Sequence, residues 1–397
     1  ALVQTGRTYF HAHRLEEGRE YAERARDIAV STNDAATLAG SWFTIGAIHM
    51  VTGDLQNSRT ELAAAVAAAR QGGVPFWEAA ALSYYGLLDH WRGDDATAMG
   101  PLDEVVRISR QHQVSFWLLN ILWIKGLAHG SRGEYELALH ALTEGLELSR
   151  RLGDRFYRCR ILNTFGWLYM DLCHWDLATQ YNTQGATESR AAGDPEIIRN
   201  AELNLADCCL AHGQWEEAQR ILETVHHESQ RRGVWGEEWM KWRYSQRLNA
   251  SLGELWLARG DARKATEYAD TCLATAEATE SRRNIVKGRR VRGEAFLALG
   301  QLAEAGRELE EALRVAREVG NPAQIWKTLA VVGRLRQAQA RLEGAAASYQ
   351  EAIALLEGVA AGFSDSALRD TLLASPQTAA LREAAARCAD AHLLQHE

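Results

Sequence analysis

The chain has 397 residues, of which 47% are hydrophobic and 24% are charged, and its formal net charge at pH 7 is −8. This balance is typical of a soluble folded protein and argues against nucleic acid as a partner, because nucleic-acid-binding proteins present a basic surface. There is no apolar stretch of about 18 residues and no signal peptide, so we expect a cytoplasmic protein without a membrane span. The six cysteines form no C-x-x-C pair, which indicates reduced thiols and not a zinc site or a disulfide framework.

Along the chain, pairs of glycine and a polar residue recur at a basic interval of 40 residues. These turns begin at Gly53, Gly93, Gly133, Gly213, Gly260 and Gly300. Cys173 occupies the missing position in the middle, and counting outward by the same interval adds His13 and Ala340. The sequence therefore predicts nine equivalent turns.

Small residues flank each turn at fixed distances. Seven residues before the turns stand Gly6, Gly46, Gly86, Gly126, Gly166, Ala206, Gly253, Gly293 and Gly333. Five residues after each turn the residue is Gly, Ser or Ala, as at Ser58 and Ala98. We infer paired antiparallel helices, because small residues let two helix backbones approach closely. A single pair cannot bury its apolar face, so the pairs are expected to stack into a solenoid.

This spacing resembles the tetratricopeptide repeat in a longer, 40-residue form. The resemblance is carried by Tyr85-Gly86, Gly93-Asp94 and Ala98, and again by the same pattern from Lys125 to Ala138. It implies an all-α superhelix of about nine helical hairpins over residues 1–360. In that family the first helix of each hairpin, helix A, lines the concave groove. The departures at Ala206 and at the turn residues His13, Cys173 and Ala340 are expected to alter only local geometry.

Both ends of the array depart from the repeat. Only five residues precede Gly6, so we expect the first hairpin to be truncated at its N-terminus. Residues 361–397 break the register, and Ser375-Pro376 is a favourable helix start, which predicts C-terminal capping helices. The segment from Phe363 to Pro376 resembles the end of repeat arrays in bacterial regulators that carry an AAA-type or STAND ATPase. That resemblance implies upstream ATPase and effector domains in the same polypeptide, the effector being an adenylate/guanylate cyclase or a DNA-binding domain.

One step of the repeat is 47 residues long, and its extra residues predict an extended helix near residues 234–242. Trp235, Trp239 and Trp242 fall on one face of that helix. The stripe is either an alternative partner patch that protrudes from the array or a packing surface against the preceding helix.

A basic cluster occupies residues 282–292, where six cations and no acidic residue occur. It either binds an anion or forms a solvated face that nearby glutamates balance. No phosphate-binding loop, H-E-x-x-H or G-x-S-x-G motif is present, so we expect no enzyme, no metal and no cofactor.

The family resemblance also implies which residues face the groove. At the matching helix A positions of the middle and later hairpins the chain offers a mixture of amides, aromatics and charges, which suits an extended peptide. These candidate ligand-binding residues are His90, Asn120, Trp123, Arg160, Asn163, Trp167, Asn200, Asp207, Lys287 and Arg290. The same wall is also compatible with a superhelix that has no dedicated ligand.

From these features we predict a non-catalytic scaffold or sensor module of a larger bacterial signalling or transcriptional regulator, with a protein or peptide partner. A second hypothesis is a sensor whose central groove binds a small-molecule effector. A third is the substrate-docking region of a multidomain enzyme.

Overall fold

The computed structural model describes residues 1–193, 195–230 and 240–394. Within these ranges the chain forms twenty α-helices and no β-strand, which confirms the all-α prediction. The helices are α1 (Leu2–His11), α2 (Leu15–Thr32), α3 (Ala35–Thr52), α4 (Leu55–Gly72), α5 (Pro75–Arg92), α6 (Asp95–Gln111), α7 (Ser115–Ser131), α8 (Tyr135–Leu152), α9 (Arg155–Asp171), α10 (Trp175–Ala192), α11 (Pro195–Ala211), α12 (Trp215–Ser229), α13 (Lys241–Ala258), α14 (Ala262–Ala278), α15 (Arg282–Ala298), α16 (Leu302–Val319), α17 (Pro322–Ala338), α18 (Leu342–Ala361), α19 (Ser366–Leu373) and α20 (Pro376–Leu394).

The first eighteen of these helices pair into nine hairpins, in which each odd-numbered helix is helix A and the following helix is helix B. Each hairpin packs against the next one, and α19 and α20 pack against α18. Helix α1 has 10 residues, whereas α3 has 18 and α7 has 17. No helix within the described residues is long and apolar enough to cross a membrane.

The turns between helix A and helix B have a left-handed backbone. The six turn glycines have φ between 69° and 94°. The three substitutes keep the same conformation, with φ of 60° at His13, 55° at Cys173 and 58° at Ala340. A left-handed non-glycine residue is strained by about 1 kcal/mol or more, so the stacking of the hairpins must stabilise these three turns.

The helix A glycines lie where two helices are closest. A Cβ atom added to Gly126 would lie 2.4 Å from Leu142 Cδ2, and one added to Gly86 would lie 2.3 Å from Leu102 Cδ2. Both leucines belong to helix B of the same hairpin and are fully buried. Glycine is therefore sterically required in these two hairpins, whereas α11 accommodates the buried Ala206 at the equivalent position.

We expect Gly126→Ala to lower the free energy of unfolding by about 1–3 kcal/mol, because the new methyl group overpacks the contact with Leu142. Gly358 provides the matched control, since it lies on an exposed part of helix α18 with no atom within 4 Å of an added Cβ. Gly358→Ala should raise the free energy of unfolding by roughly 0.5–1 kcal/mol through helix propensity alone. Chemical denaturation of the two variants measures both changes in the free energy of unfolding. Two changes of the same sign would contradict the packing argument.

The superhelix returns on itself after five hairpins. The turns that follow α3, α5 and α7 contact the first residues of α13, α15 and α17, and we call this set of contacts the seam. The Met240 backbone N–H donates to the Val51 carbonyl at 2.8 Å, and Asn321 Nδ2 donates to the Ser131 carbonyl at 2.8 Å. Between them, Arg282 donates to two carbonyls of the turn after α5 at 3.2 and 3.0 Å. The seam joins early and late hairpins around a common interior.

Most of the predicted extended helix near residues 234–242, with Trp235 and Trp239, falls outside the described residues. Within them, α13 begins only at Lys241, after Met240 in the left-handed conformation with φ of 57°. Trp242 is described, and it is a seam residue with 8% of its surface exposed. Its indole N–H donates to the Met50 carbonyl at 3.3 Å, and its ring meets Trp91 edge-on at 5.9 Å between centroids. Trp242 therefore packs against early hairpins, and its position does not offer a protruding surface.

Candidate functional site: a polar cavity inside the superhelix

A cavity of about 470 Å³ occupies the interior of the superhelix. Its wall comes mainly from helix A of seven successive hairpins, α5 through α17, as the repeat predicts for the concave face. Eight of the residues proposed from the sequence line it. They are His90, Asn163, Trp167, Asn200, Asp207, Lys287, Arg290 and, from the alternative patch, Trp242.

Three other proposed residues do not line the cavity. Asn120 is 3% exposed, and the Trp123 indole N–H donates to the Thr164 hydroxyl at 2.9 Å. Arg160 pairs with Glu196 at 2.7 Å. All three lie in the contact layer between successive A helices, so the structure gives them packing contacts and not cavity positions.

A network of asparagine side chains forms part of the cavity wall. Asn163 Nδ2 donates to Asn182 Oδ1 at 2.9 Å, and Asn204 Nδ2 donates to the same oxygen at 2.9 Å. Asn200 Nδ2 donates to Asn163 Oδ1. Asn182 lies on α10, a B helix, and is fully buried, so it anchors the network from behind the wall.

Arg247 fixes the other side of this network. Its guanidinium donates to Asn200 Oδ1 and, at 2.5 Å, to Asn204 Oδ1. Asp207 lies 3.8 Å from the same guanidinium and accepts from the Ser251 hydroxyl at 2.6 Å. Each amide can make up to four hydrogen bonds, so Asn200 keeps unused donor and acceptor positions. Its side chain is held in one orientation before any ligand enters.

The cavity wall carries an excess of positive charge. The cations are Arg243, Arg247, Arg283, Lys287, Arg290, Lys327 and Arg334, and the carboxylates are Asp171, Asp207, Glu254 and Glu294. Each carboxylate pairs with one cation, in Arg290–Glu254 at 2.9 Å, Lys327–Asp171 at 3.7 Å, Arg247–Asp207 at 3.8 Å and Arg334–Glu294 at 2.5 Å. The other three cations have no carboxylate partner in the part of the chain that the structure describes.

Burial and this charge distribution shift the pKa values of the wall residues. Burial favours the neutral form of Glu254, but the nearby cations, first of all Arg290, hold its pKa below the ordinary value. Burial raises the pKa of Asp171 despite its neighbour Lys327. At His90, burial and then the charge of Arg283 lower the pKa to about 4, so a neutral imidazole donates to Asp95 at 2.6 Å.

The basic cluster at residues 282–292 divides between three environments. Arg283, Lys287 and Arg290 line the cavity, and Arg282 belongs to the seam. The remaining two arginines form ion pairs with acidic residues of the neighbouring B helices, namely Arg289 with Glu277 and Glu308 and Arg292 with Asp270 and Glu308. The six cations therefore form neither a single anion-binding site nor a single solvent-exposed face.

Sequence reasoning missed several residues of the wall. The groove positions of the ninth hairpin are Lys327, Ala330 and Arg334, and applying the family rule to that hairpin would have found them. Arg283 and Asn204 lie off the groove positions, and Asn182 lies on a B helix. The places of Arg283, Asn204 and Asn182 in or behind the cavity wall follow from the seam and from the stacking of the hairpins, which the repeat pattern does not specify.

No family model matches the chain, and no curated protein matches it by sequence. Solved structures match the fold. A Rap protein complexed with competence and sporulation factor is 13% identical with a TM-score of 0.66, over 91% of this chain and 98% of that chain. NprR in complex with its cognate peptide NprX is 15% identical with a TM-score of 0.50, over 84% of this chain and 97% of that chain. At these identities the likeness shows the fold alone, which is that of a tetratricopeptide-like solenoid.

Proposed function

We propose that this chain is a non-catalytic sensor module that binds a short peptide in the interior of its superhelix. The observation that carries the proposal is the asparagine network anchored by Asn182 and Arg247, because it presents a preorganised amide at Asn200 to the cavity. An extended peptide exposes one donor and one acceptor per residue, and an asparagine side chain can satisfy both. Preorganisation lowers the entropic cost of binding.

Two further observations support a peptide. The cavity of about 470 Å³ lies within the range of roughly 300–1,000 Å³ that is usual for ligand pockets, so it suits a short segment and not a folded domain. Two solved proteins of this fold, a Rap protein and NprR, are in complex with competence and sporulation factor and with the cognate peptide NprX. A small-molecule effector is the second candidate, and the same cavity volume favours it.

We further propose that the module belongs to a larger bacterial regulator with ATPase and effector domains. The resemblance of the segment from Phe363 to Pro376 to the end of repeat arrays in such regulators supports this context. In the structure this segment leads into α20, which packs on the last hairpin. Peptide binding in the cavity would then change how the array contacts the other domains.

The experiment uses the 397-residue chain and a soluble mixture of random hexapeptides with blocked termini. Peptides retained through gel filtration are identified by mass spectrometry and titrated singly by calorimetry. We expect one peptide per chain, and we expect Ala330→Trp to abolish retention because Ala330 lines the cavity. Ala63→Trp is the matched control, since Ala63 is exposed on α4. Failure to retain any peptide, or retention that both variants leave unchanged, would contradict peptide binding in the cavity.

A further inference from the structure

The charges on the cavity wall indicate which class of peptide the cavity binds. This inference rests on the proposed function. Seven cations face four carboxylates in a chain whose net charge is −8. The local excess therefore has the opposite sign to the chain as a whole. Because the four carboxylates already have partners, the excess resides on Arg243, Arg283 and Lys287.

These three cations have only uncharged neighbours as direct partners in the described residues. Arg243 lies over the rings of Trp91 and Tyr244, at 5.5 and 5.2 Å from their centroids. Arg283 donates to the Ser131 hydroxyl and to a backbone carbonyl of the seam. Lys287 has no hydrogen-bond acceptor within the described part of the chain, although it projects from the middle of α15 into the cavity wall.

Burial disfavours the charged forms of Lys287 and Arg283. Burial lowers the pKa of Lys287 and outweighs the attraction of Asp207 and Glu254, which the repulsion from Arg247 and Lys327 reduces in part. Burial likewise lowers the pKa of Arg283, although Asp95 and Asp171 attract its charge while Arg243 repels it. Partly desolvated cations without an ion-pair partner destabilise the unliganded protein, and an incoming anion would offset that cost. A cationic ligand would be repelled by the same three side chains.

We propose that the cavity selects peptides with acidic side chains, whose carboxylates pair with Arg243, Arg283 and Lys287. The asparagine network then holds the peptide backbone, and the three cations choose the side chains. Arginine suits carboxylates because its planar guanidinium donates two parallel hydrogen bonds. Low solvent access strengthens such pairs relative to the same pairs on an open surface.

The test compares three hexapeptide pools that are acetylated and amidated at the termini, so that only side chains carry charge. The pools differ at two positions, which hold Asp or Glu in the first pool, Asn or Gln in the second and Lys or Arg in the third. We expect retention of the acidic pool to exceed that of the amide pool at least tenfold, and the basic pool to be retained least. Equal retention of the acidic and amide pools would overturn this inference while leaving peptide binding intact, whereas retention of no pool would remove the proposed function itself.

Variants of the cations sharpen the test. Lys287→Gln combined with Arg243→Gln should bring the ratio of acidic-pool to amide-pool retention close to one. Arg263 is an exposed arginine on α14, and Arg263→Gln should leave that ratio unchanged. The circular dichroism melting curve verifies that the variants fold. Lys287→Gln alone should not lower the melting midpoint, since it removes a desolvated charge that has no ion-pair partner in the described residues. A loss of preference in the Arg263→Gln control would overturn the assignment.

Inorganic tripolyphosphate, as a small polyanion, gives the last comparison. If it raises the melting midpoint through Lys287 and no peptide pool is retained, the cations serve a small anion and the acidic-peptide assignment is wrong.

Discussion

Replacing Trp242 with Ala is expected to lower the free energy of unfolding by about 3 kcal/mol or more and to open the superhelix. The residue is buried in the seam, where its ring packs on Trp91 and its indole donates to the Met50 carbonyl. Truncation of a buried Trp removes the transfer energy of the ring and leaves a cavity, for which costs of about 3–5 kcal/mol are usual. The lost indole would also remove one of the two hydrogen bonds that the Met50 carbonyl accepts, leaving that from the Gly53 N–H.

Trp256 on the same helix α13 is the matched control. It packs against Ala262, Ala265 and Ala295 of its own and the next hairpin, with the ammonium group of Lys264 3.3 Å from its ring centroid. Trp256→Ala should therefore destabilise only the packing between its own hairpin and the next one. Small-angle scattering should show a larger radius of gyration for Trp242→Ala and an unchanged one for Trp256→Ala. An unchanged radius in both variants would mean that the seam does not hold the superhelix closed.

The double variant Trp167→Ala/Asn200→Ala is expected to lower the binding affinity for the retained hexapeptides about 30-fold, which corresponds to about 2 kcal/mol of binding free energy. Trp167 offers a half-buried aromatic surface in the cavity wall, and Asn200 offers the preorganised amide. Removing both takes away one apolar contact and one hydrogen-bonding group that a peptide backbone uses. Calorimetric titration measures the change.

Trp215→Ala controls for the loss of a tryptophan, since Trp215 is 40% exposed at the start of the B helix α12. Asn182→Ala gives a second comparison, because Asn182 anchors the network without lining the cavity. We expect it to weaken binding indirectly by releasing Asn163 and Asn204. Full affinity in the Trp167→Ala/Asn200→Ala variant would exclude the network as the peptide site.

The hairpins were predictable because each is defined by local steric requirements that recur in register. Even His13, Cys173 and Ala340 could be placed at turns by counting, and all three have positive φ. The seam was not predictable in this way. Its hydrogen bonds, such as that from Asn321 to Ser131, join residues 190 positions apart, and they depend on the small rotation that accumulates between hairpins.

The site was predictable in part for the same reason. Position within helix A brings Asn163, Trp167 and Asn200 to one wall, as the family rule implies. The rule does not say how far a side chain is covered, and Asn163 proves to be 1% exposed because Asn182 and Asn204 close around it. Asn163 is therefore a positioning residue in our proposal, and Asn200 takes its place as the contact residue.

Hydrogen exchange with and without a retained acidic hexapeptide tests the central claim most directly. If the peptide lies inside the superhelix, amide protection should increase in the cavity-lining A helices α9, α11, α13 and α15, while the exposed B helices α4 and α6 exchange as before. Protection confined to the outer B helices, or none at all on saturation with peptide, would contradict binding in the cavity.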